Sequence, residues 1–176
     1  MASAFQREKI ARVFTVMDVD DDGFLAETDF TALTARWAAV RGCAPGSADH
    51  ARLRGIIMSW WETLLAAYDI DGDGKVTLEE VLQIVDERDT MFDVVGATAI
   101  EMFDAIDENA DGMISAAEYR RLIETWNGRE TDTDEVFALL DLNGDGHLSK
   151  EEFSALWTEF WAGEDRNSPG RWVFGR

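Results

Sequence analysis

The chain is short of cysteine, histidine, tyrosine and basic residues, and each shortage narrows what it can be. Cys43 is the single cysteine in 176 residues, so no intrachain disulfide can form. A lone thiol of this kind reads as a small packed side chain rather than a redox centre. Two histidines, His50 and His147, and two tyrosines offer no nucleophile–base pair and no transition-metal cluster, so the sequence gives catalysis no support. Lys and Arg number 16 against 36 Asp and Glu, and the formal charge of −20 repels nucleic acid and anionic membranes. No apolar run approaches the ~20 residues of a membrane span. The first nine residues, Met1 to Lys9, are charged and lack the apolar stretch of a signal peptide. A soluble, cytoplasmic, monomeric protein is expected, with no membrane insertion and no nucleic-acid partner. A protein target, if it has one, would carry a basic or apolar face. Hydrophobic content is 46%, which is too high for a disordered acidic tail and ample for a core.

What the chain repeats is one acidic pattern. It occurs as Asp18-Val19-Asp20-Asp21-Asp22-Gly23, Asp69-Ile70-Asp71-Gly72-Asp73-Gly74, Asp107-Glu108-Asn109-Ala110-Asp111-Gly112 and Asp141-Leu142-Asn143-Gly144-Asp145-Gly146. An Asp or Glu follows each glycine by six residues. Oxygen-only ligands at this spacing select a hard divalent cation, above all calcium. In a twelve-residue loop of this type, positions 1, 3, 5 and 12 give side chains, position 7 gives its carbonyl, and position 9 often supplies a water.

Loop 2 (69–80) meets every position with Asp69, Asp71, Asp73, the Lys75 carbonyl, Thr77 and Glu80. Loop 3 (107–118) offers Asp107, Asn109, Asp111, the Met113 carbonyl, Ser115 and Glu118. Loop 4 (141–152) offers Asp141, Asn143, Asp145, the His147 carbonyl, Ser149 and Glu152. The His147 imidazole is a poor calcium ligand and is expected to face solvent. Thr77…Glu80, Ser115…Glu118 and Ser149…Glu152 also have capping-box spacing, so the same residues start the helix that leaves each loop. Loop 1 (18–29) departs. It has Asp18, Asp20, Asp22 and the Phe24 carbonyl, but position 9 is Ala26 and position 12 is Asp29. Alanine neither caps a helix nor holds a water. The shorter aspartate arm favours a lower coordination number, which suits magnesium better than calcium. Three strong calcium sites and one weaker or magnesium-prone site are therefore expected.

Apolar residues at helical spacing flank every loop. Ile10, Val13, Phe14 and Met17 precede the first; Phe30, Leu33, Trp37 and Val40 follow it. Ile57, Trp60, Trp61, Leu64, Leu65 and Tyr68 lead to the second, then Leu78, Val81, Leu82 and Val85. The third lies between Phe92, Val95, Ala99, Phe103, Ile106 and Tyr119, Leu122, Ile123, Trp126. The fourth lies between Val136, Phe137, Leu140 and Phe153, Leu156, Trp157, Phe160. The reading is all-α, with eight helices. Loop starts at 18, 69, 107 and 141 step by 51, 38 and 34 residues, too uneven for a solenoid. The break at 42–47, with Pro45, accounts for the long first step. A polar connection spans 127–134, and the stretch 87–90, free of Gly and Pro, joins the halves. Position 8 of each loop is apolar (Leu25, Val76, Ile114, Leu148), so loops 1 with 2 and 3 with 4 should pair through short strand bridges. Two units follow, 1–88 and 89–176, the second ending in a tail, 168–176, whose Trp172, Val173 and Phe174 should dock on the body.

In these motifs the chain resembles the EF-hand proteins over nearly its whole length, and within them the sarcoplasmic calcium-binding proteins and their calerythrin-like bacterial members. The long first gap, the Asp closing loop 1 and the Pro169-Gly170…Trp172…Phe174-Gly175 ending carry that resemblance. It implies two EF-hand pairs packed face to face in a compact globule that buffers calcium. Such proteins often have a ruined second or fourth hand, whereas loops 2 and 4 are intact here. Six Met against seven Trp favour a fixed core over the Met-rich groove of a sensor. A sensor for a basic or apolar target is the alternative, and a photoprotein or luciferin carrier a remote one. If the short Asp29 arm limits loop 1, Asp29→Glu should raise its calcium affinity on the order of tenfold, or about 1.4 kcal/mol, in isothermal titration. An unchanged affinity there contradicts this reading of loop 1.

Overall fold

Small polar residues and glycines decide where each helix begins and ends. Ser3 accepts from the Gln6 amide to open α1 (Ala4–Met17). Glycine in the left-handed region ends α2 (Glu27–Arg41) at Gly42, and Ser47 opens α3 (Ala48–Tyr68) by accepting from the His50 amide. Thr77, Ser115 and Ser149 form the full capping boxes their spacing calls for, opening α4 (Leu78–Val85), α6 (Ala116–Asn127) and α8 (Lys150–Ala162). The remaining helices are α5 (Arg88–Ile106) and α7 (Asp134–Leu140). A single 3₁₀ turn, Pro169–Trp172, lies in the tail. The computed structural model describes residues 2–176, with side chains at all of these but 88–90. The expected junction at 87–90 therefore has most of its side chains outside the described residues. The helix bounds leave Asp86 and Glu87 between α4 and α5.

The fold is all-α, with two antiparallel bridges. Strand β1 (Phe24–Leu25) pairs with β2 (Val76–Thr77), setting Leu25 opposite Val76. Strand β3 (Met113–Ser115) pairs with β4 (His147–Ser149), setting Ile114 opposite Leu148. All four position-8 side chains are buried, which is why an apolar residue stands there. The helical stripes bury one core in which Trp37, Trp60 and Trp157 are nearly inaccessible. The α5 stripe differs from expectation at its start. Phe92 is 51% exposed, and Met91 and Val94 face the core in its place, beside the expected Val95. An apolar pattern of period 3.6 does not choose between neighbouring registers when apolar residues stand side by side.

Helices of the first half lie on helices of the second: α3 along α5, α2 on α6 and α1 on α8. Scarce cations fasten these contacts by donating to carbonyls at helix C-termini, which lack partners within their own helix. Lys9 donates to the carbonyls of Phe160 and Gly163, and Gln6 donates to that of Ala162, all at the end of α8. Arg36 reaches the Thr125 carbonyl of α6. Arg41 and Arg52 donate to the carbonyls of Ala105, Asp104 and Asp107 at the end of α5.

The tail is seated in the core. Phe174 is 4% exposed and lies 4.8 Å from the Trp126 ring, 4.9 Å from Phe160 and 5.3 Å from Trp157 between centroids. Tyr119 donates to the Trp172 carbonyl at 3.0 Å. Gly170 permits the approach: a Cβ there would stand 2.5 Å from both the Leu156 carbonyl oxygen and the Glu159 Cβ. Phe174→Ala should cost about 3 kcal/mol in urea unfolding; a loss below about 1 kcal/mol would mean that the tail is not part of the core. Lys9 gives a pH signature. Burial and then Arg171 lower its pKa from 10.5 to about 8, against Glu159 and Glu164. Below that value both states hold the proton, and the buried charge counts fully against folding. Between about 8 and 10.5 only the unfolded chain holds it, so this group's contribution to stability rises with pH. Measured against Lys9→Met, the parent should therefore gain stability from pH 8 to 10.5, and a constant difference would contradict the burial of a charged Lys9.

Candidate metal centre

Each loop is a turn whose backbone amides aim at carboxylates. The first acid anchors it. Asp18 accepts from the amides of Asp22 (3.1 Å) and Gly23 (2.9 Å). Asp69 accepts from Gly72, Asp73 and Gly74 at 2.8–3.1 Å. Asp107 accepts from Asp111 and Gly112, and Asp141 from Gly144 and Gly146. The fifth position repeats one bond throughout: Asp22, Asp73, Asp111 and Asp145 accept from the amides of Phe24, Lys75, Met113 and His147 at 2.8–2.9 Å. At the third position Asp71, Asn109 and Asn143 accept from the amide two residues on. The two asparagines also donate to Asp111 and Asp145.

The twelfth residue closes the loop. Glu80 accepts from the Ile70 and Thr77 amides, and Glu118 from those of Glu108 and Ser115. Glu152 accepts from the Ser149 amide. Burial raises the Glu80 pKa, but the Thr77 amide and hydroxyl, with the Ile70 and Asp71 amides, outweigh it, and the net direction is down. Asp29 makes the same two closing bonds as Glu80 and Glu118, to the Val19 and Ala26 amides at 2.8 Å each, and is 2% exposed. Its shorter arm thus still spans the loop. What loop 1 lacks is the cap: Ala26 has no acceptor side chain, and the Asp29 amide finds the Ala26 carbonyl at 3.0 Å.

Two all-carboxylate groups form among the described residues: Asp18, Asp20, Asp22 and Asp69, Asp71, Asp73, each with oxygens within 4.8 Å of one another. Local desolvation raises the Asp20 pKa first, and the crowding of Asp22, Asp29 and Asp18 adds to it. Like charges held this close, among oxygen donors only, fit a hard divalent cation. Loops 3 and 4 have Asn109 and Asn143 where loops 1 and 2 have acids, so each gathers fewer carboxylates. Phe24, Met113 and His147 open their strands, and Lys75 immediately precedes β2. The His147 ring is exposed, 3.4 Å from the Asp145 carbonyl.

The fourth position was not singled out from sequence. It is left-handed in every loop, with φ of 58° at Asp21, 75° at Gly72, 57° at Ala110 and 73° at Gly144. Glycine does this freely, and Gly72 and Gly144 use the turn to aim their own amides at the first aspartate. Ala110 holds the same conformation at a cost of roughly 1–2 kcal/mol. The cations at the helix ends were also missed, because their partners lie 52 to 154 residues away in the chain.

Residues 7–86 and 97–158 match the EF-hand domain pair family. The alpha chain of the sarcoplasmic calcium-binding protein of Penaeus vannamei is 28% identical over 170 residues, covering 90% of this chain and 88% of its own. Calerythrin of Saccharopolyspora erythraea is 24% identical over 166 residues, covering 91% of this chain and 94% of its own. Among solved structures, the coelenterazine-binding protein of Renilla muelleri in its calcium-loaded apo form superposes with a TM-score of 0.78. It shares 20% identity over 98% of this chain and 96% of its own, a likeness of fold. No helix among the described residues is long and apolar enough to cross a membrane. With four acid-bearing helix–loop–helix units paired through their loops and both pairs matched, the chain belongs to the EF-hand domain pair family of calcium-binding proteins, related to the sarcoplasmic and calerythrin-like members.

Proposed function

We propose that the protein is a calcium buffer of the sarcoplasmic and calerythrin type, with a cation site in each of its four loops. In loop 1 the ligands are Asp18, Asp20, Asp22, the Phe24 carbonyl and Asp29. Loop 2 uses Asp69, Asp71, Asp73, the Lys75 carbonyl and Glu80. Loop 3 uses Asp107, Asn109, Asp111, the Met113 carbonyl and Glu118, and loop 4 uses Asp141, Asn143, Asp145, the His147 carbonyl and Glu152. The bound ion supplies positive charge to acids that otherwise repel. The residues supply the rest: backbone amides orient each acid, and the capping serines and threonine fix the twelfth residue at a helix start. Loop 1, without a cap, is the weaker site and the one open to magnesium. The loops work in two units, 1–88 and 89–176, in a monomeric cytoplasmic protein.

One observation carries the buffer reading over the sensor reading. A sensor needs an apolar groove that a target can enter. Here Phe174, from the chain's own tail, sits among Trp126, Trp157, Phe160 and Trp161. The carrier reading has less support. The apolar cavity lined by Trp60, Tyr68, Thr98, Trp157 and Trp161 has a volume of ≈ 20 Å³. That is room for about one water, against roughly 300 Å³ or more for a small-molecule pocket.

Calcium at a hundred times its dissociation constant should add about 2.7 kcal/mol per site, if the unfolded chain does not bind it. The melting temperature should therefore rise steeply from chelator to calcium, while binding of a dye for exposed apolar surface rises little. Equal melting in both would refute calcium binding. A large calcium-triggered dye signal would refute the buffer role and favour a sensor.

A further inference from the structure

Loop 3 leaves the end of α5, and that end is gripped from the first half of the chain. Arg52 of α3 donates to the Asp104 carbonyl at 3.0 Å and to the Asp107 carbonyl at 3.2 Å. Arg41, the last residue of α2, donates to the Ala105 carbonyl. Its side chain is 5% exposed, lies 5.0 Å from the centre of the Trp37 ring, and pairs with Glu108 at 3.2 Å. Arg121 of α6 reaches the same Glu108 oxygen at 2.6 Å. Asp107 and Glu108 are positions 1 and 2 of loop 3. The Glu108 amide in turn donates to Glu118, position 12, at 3.0 Å. The grip thus touches the first ligand through its carbonyl and the last through the amide of Glu108. Among the described residues, no arginine donates to a carbonyl at the first position, or in the turn before it, of loops 1, 2 or 4.

We propose that Arg41 and Arg52 are positioning residues for loop 3, holding its entrance so that it takes calcium more tightly than its partner, loop 4. This rests on the reading that both loops bind calcium. Two physical effects compete. Positive charge beside a cation site repels the ion, whereas fixing the loop removes the ordering cost of binding. The guanidinium groups face carbonyls and Glu108 rather than the loop's ligand oxygens. Their charge is partly offset by Glu108, which Arg41 shares with Arg121, and by the negative end of α5. What they add to loop 3 is position. Arg52 does this with two donors of one planar fork, a geometry that lysine cannot reproduce.

The test compares Arg52→Lys, Arg52→Gln and Arg41→Gln with the parent in the full chain. Calcium is titrated while NMR follows the amides of Gly112 and Gly146. These donate to Asp107 and Asp141, and so report loops 3 and 4 separately. Each variant should weaken loop 3 about tenfold, in the range typical of residues that orient metal ligands, and leave loop 4 within about twofold. Without metal, hydrogen exchange at the Glu108 amide should speed up in the variants. Arg52→Lys matching the parent, or tighter binding in either Gln variant, would overturn the proposal, because charge rather than position would then govern the site. Arg52 is only half-buried, so its variants serve if Arg41→Gln fails to fold. Should neither glycine amide of the parent respond to calcium, the calcium reading itself falls; a parent that responds at both, with variants unchanged, overturns the positioning role alone.

Discussion

Everything in this fold is arranged around acids that would repel one another if left alone. A formal charge of −20 on 176 residues is concentrated in four loops, and each loop brings three acidic or amide side chains to one turn before a twelfth-position acid closes it. Backbone amides hold them there. The first, fifth and twelfth side chains of every loop accept at least one amide bond. The turn that points those amides inward needs left-handed backbone at its fourth and sixth positions. Glycine at the sixth is thus a requirement of geometry. At the fourth, two loops satisfy it with glycine and two bear the strain.

The scarce positive charges complement this arrangement at a distance. Loops begin where helices end, and helix ends concentrate unpaired carbonyls. Lys9, Arg36, Arg41 and Arg52 come from the first half of the chain and satisfy such carbonyls on α8, α6 and α5. The two halves are therefore joined by charged donors as well as by apolar packing, and one of these junctions opens directly into loop 3. The tail closes the second half on itself, placing Phe174 in the aromatic cluster of α6 and α8.

Local features were legible in the sequence because their causes are local. Loop boundaries, capping boxes, the breaks at 42–47 and 127–134 and the pairing of loops through Leu25, Val76, Ile114 and Leu148 all follow from spacings of a few residues. Only the start of the α5 face did not, since Met91 and Phe92 are adjacent and only packing selects between them. The inequality of the loops was legible in part. Spacing set loop 1 apart for Ala26 and Asp29. The structure shows that Asp29 still spans to Val19 and Ala26, and that loops 1 and 2 are the two all-carboxylate groups. The arginine grip on α5 left no trace in any local pattern, because its two sides are more than fifty residues apart.

Counting bound ions tests the central claim most directly. Native mass spectrometry of the full chain at saturating calcium, without magnesium, should give four calcium ions per chain. With magnesium in excess, three calcium ions and one magnesium ion should remain. A limit of two calcium ions, matching only the all-carboxylate groups of loops 1 and 2, would contradict the four-site account.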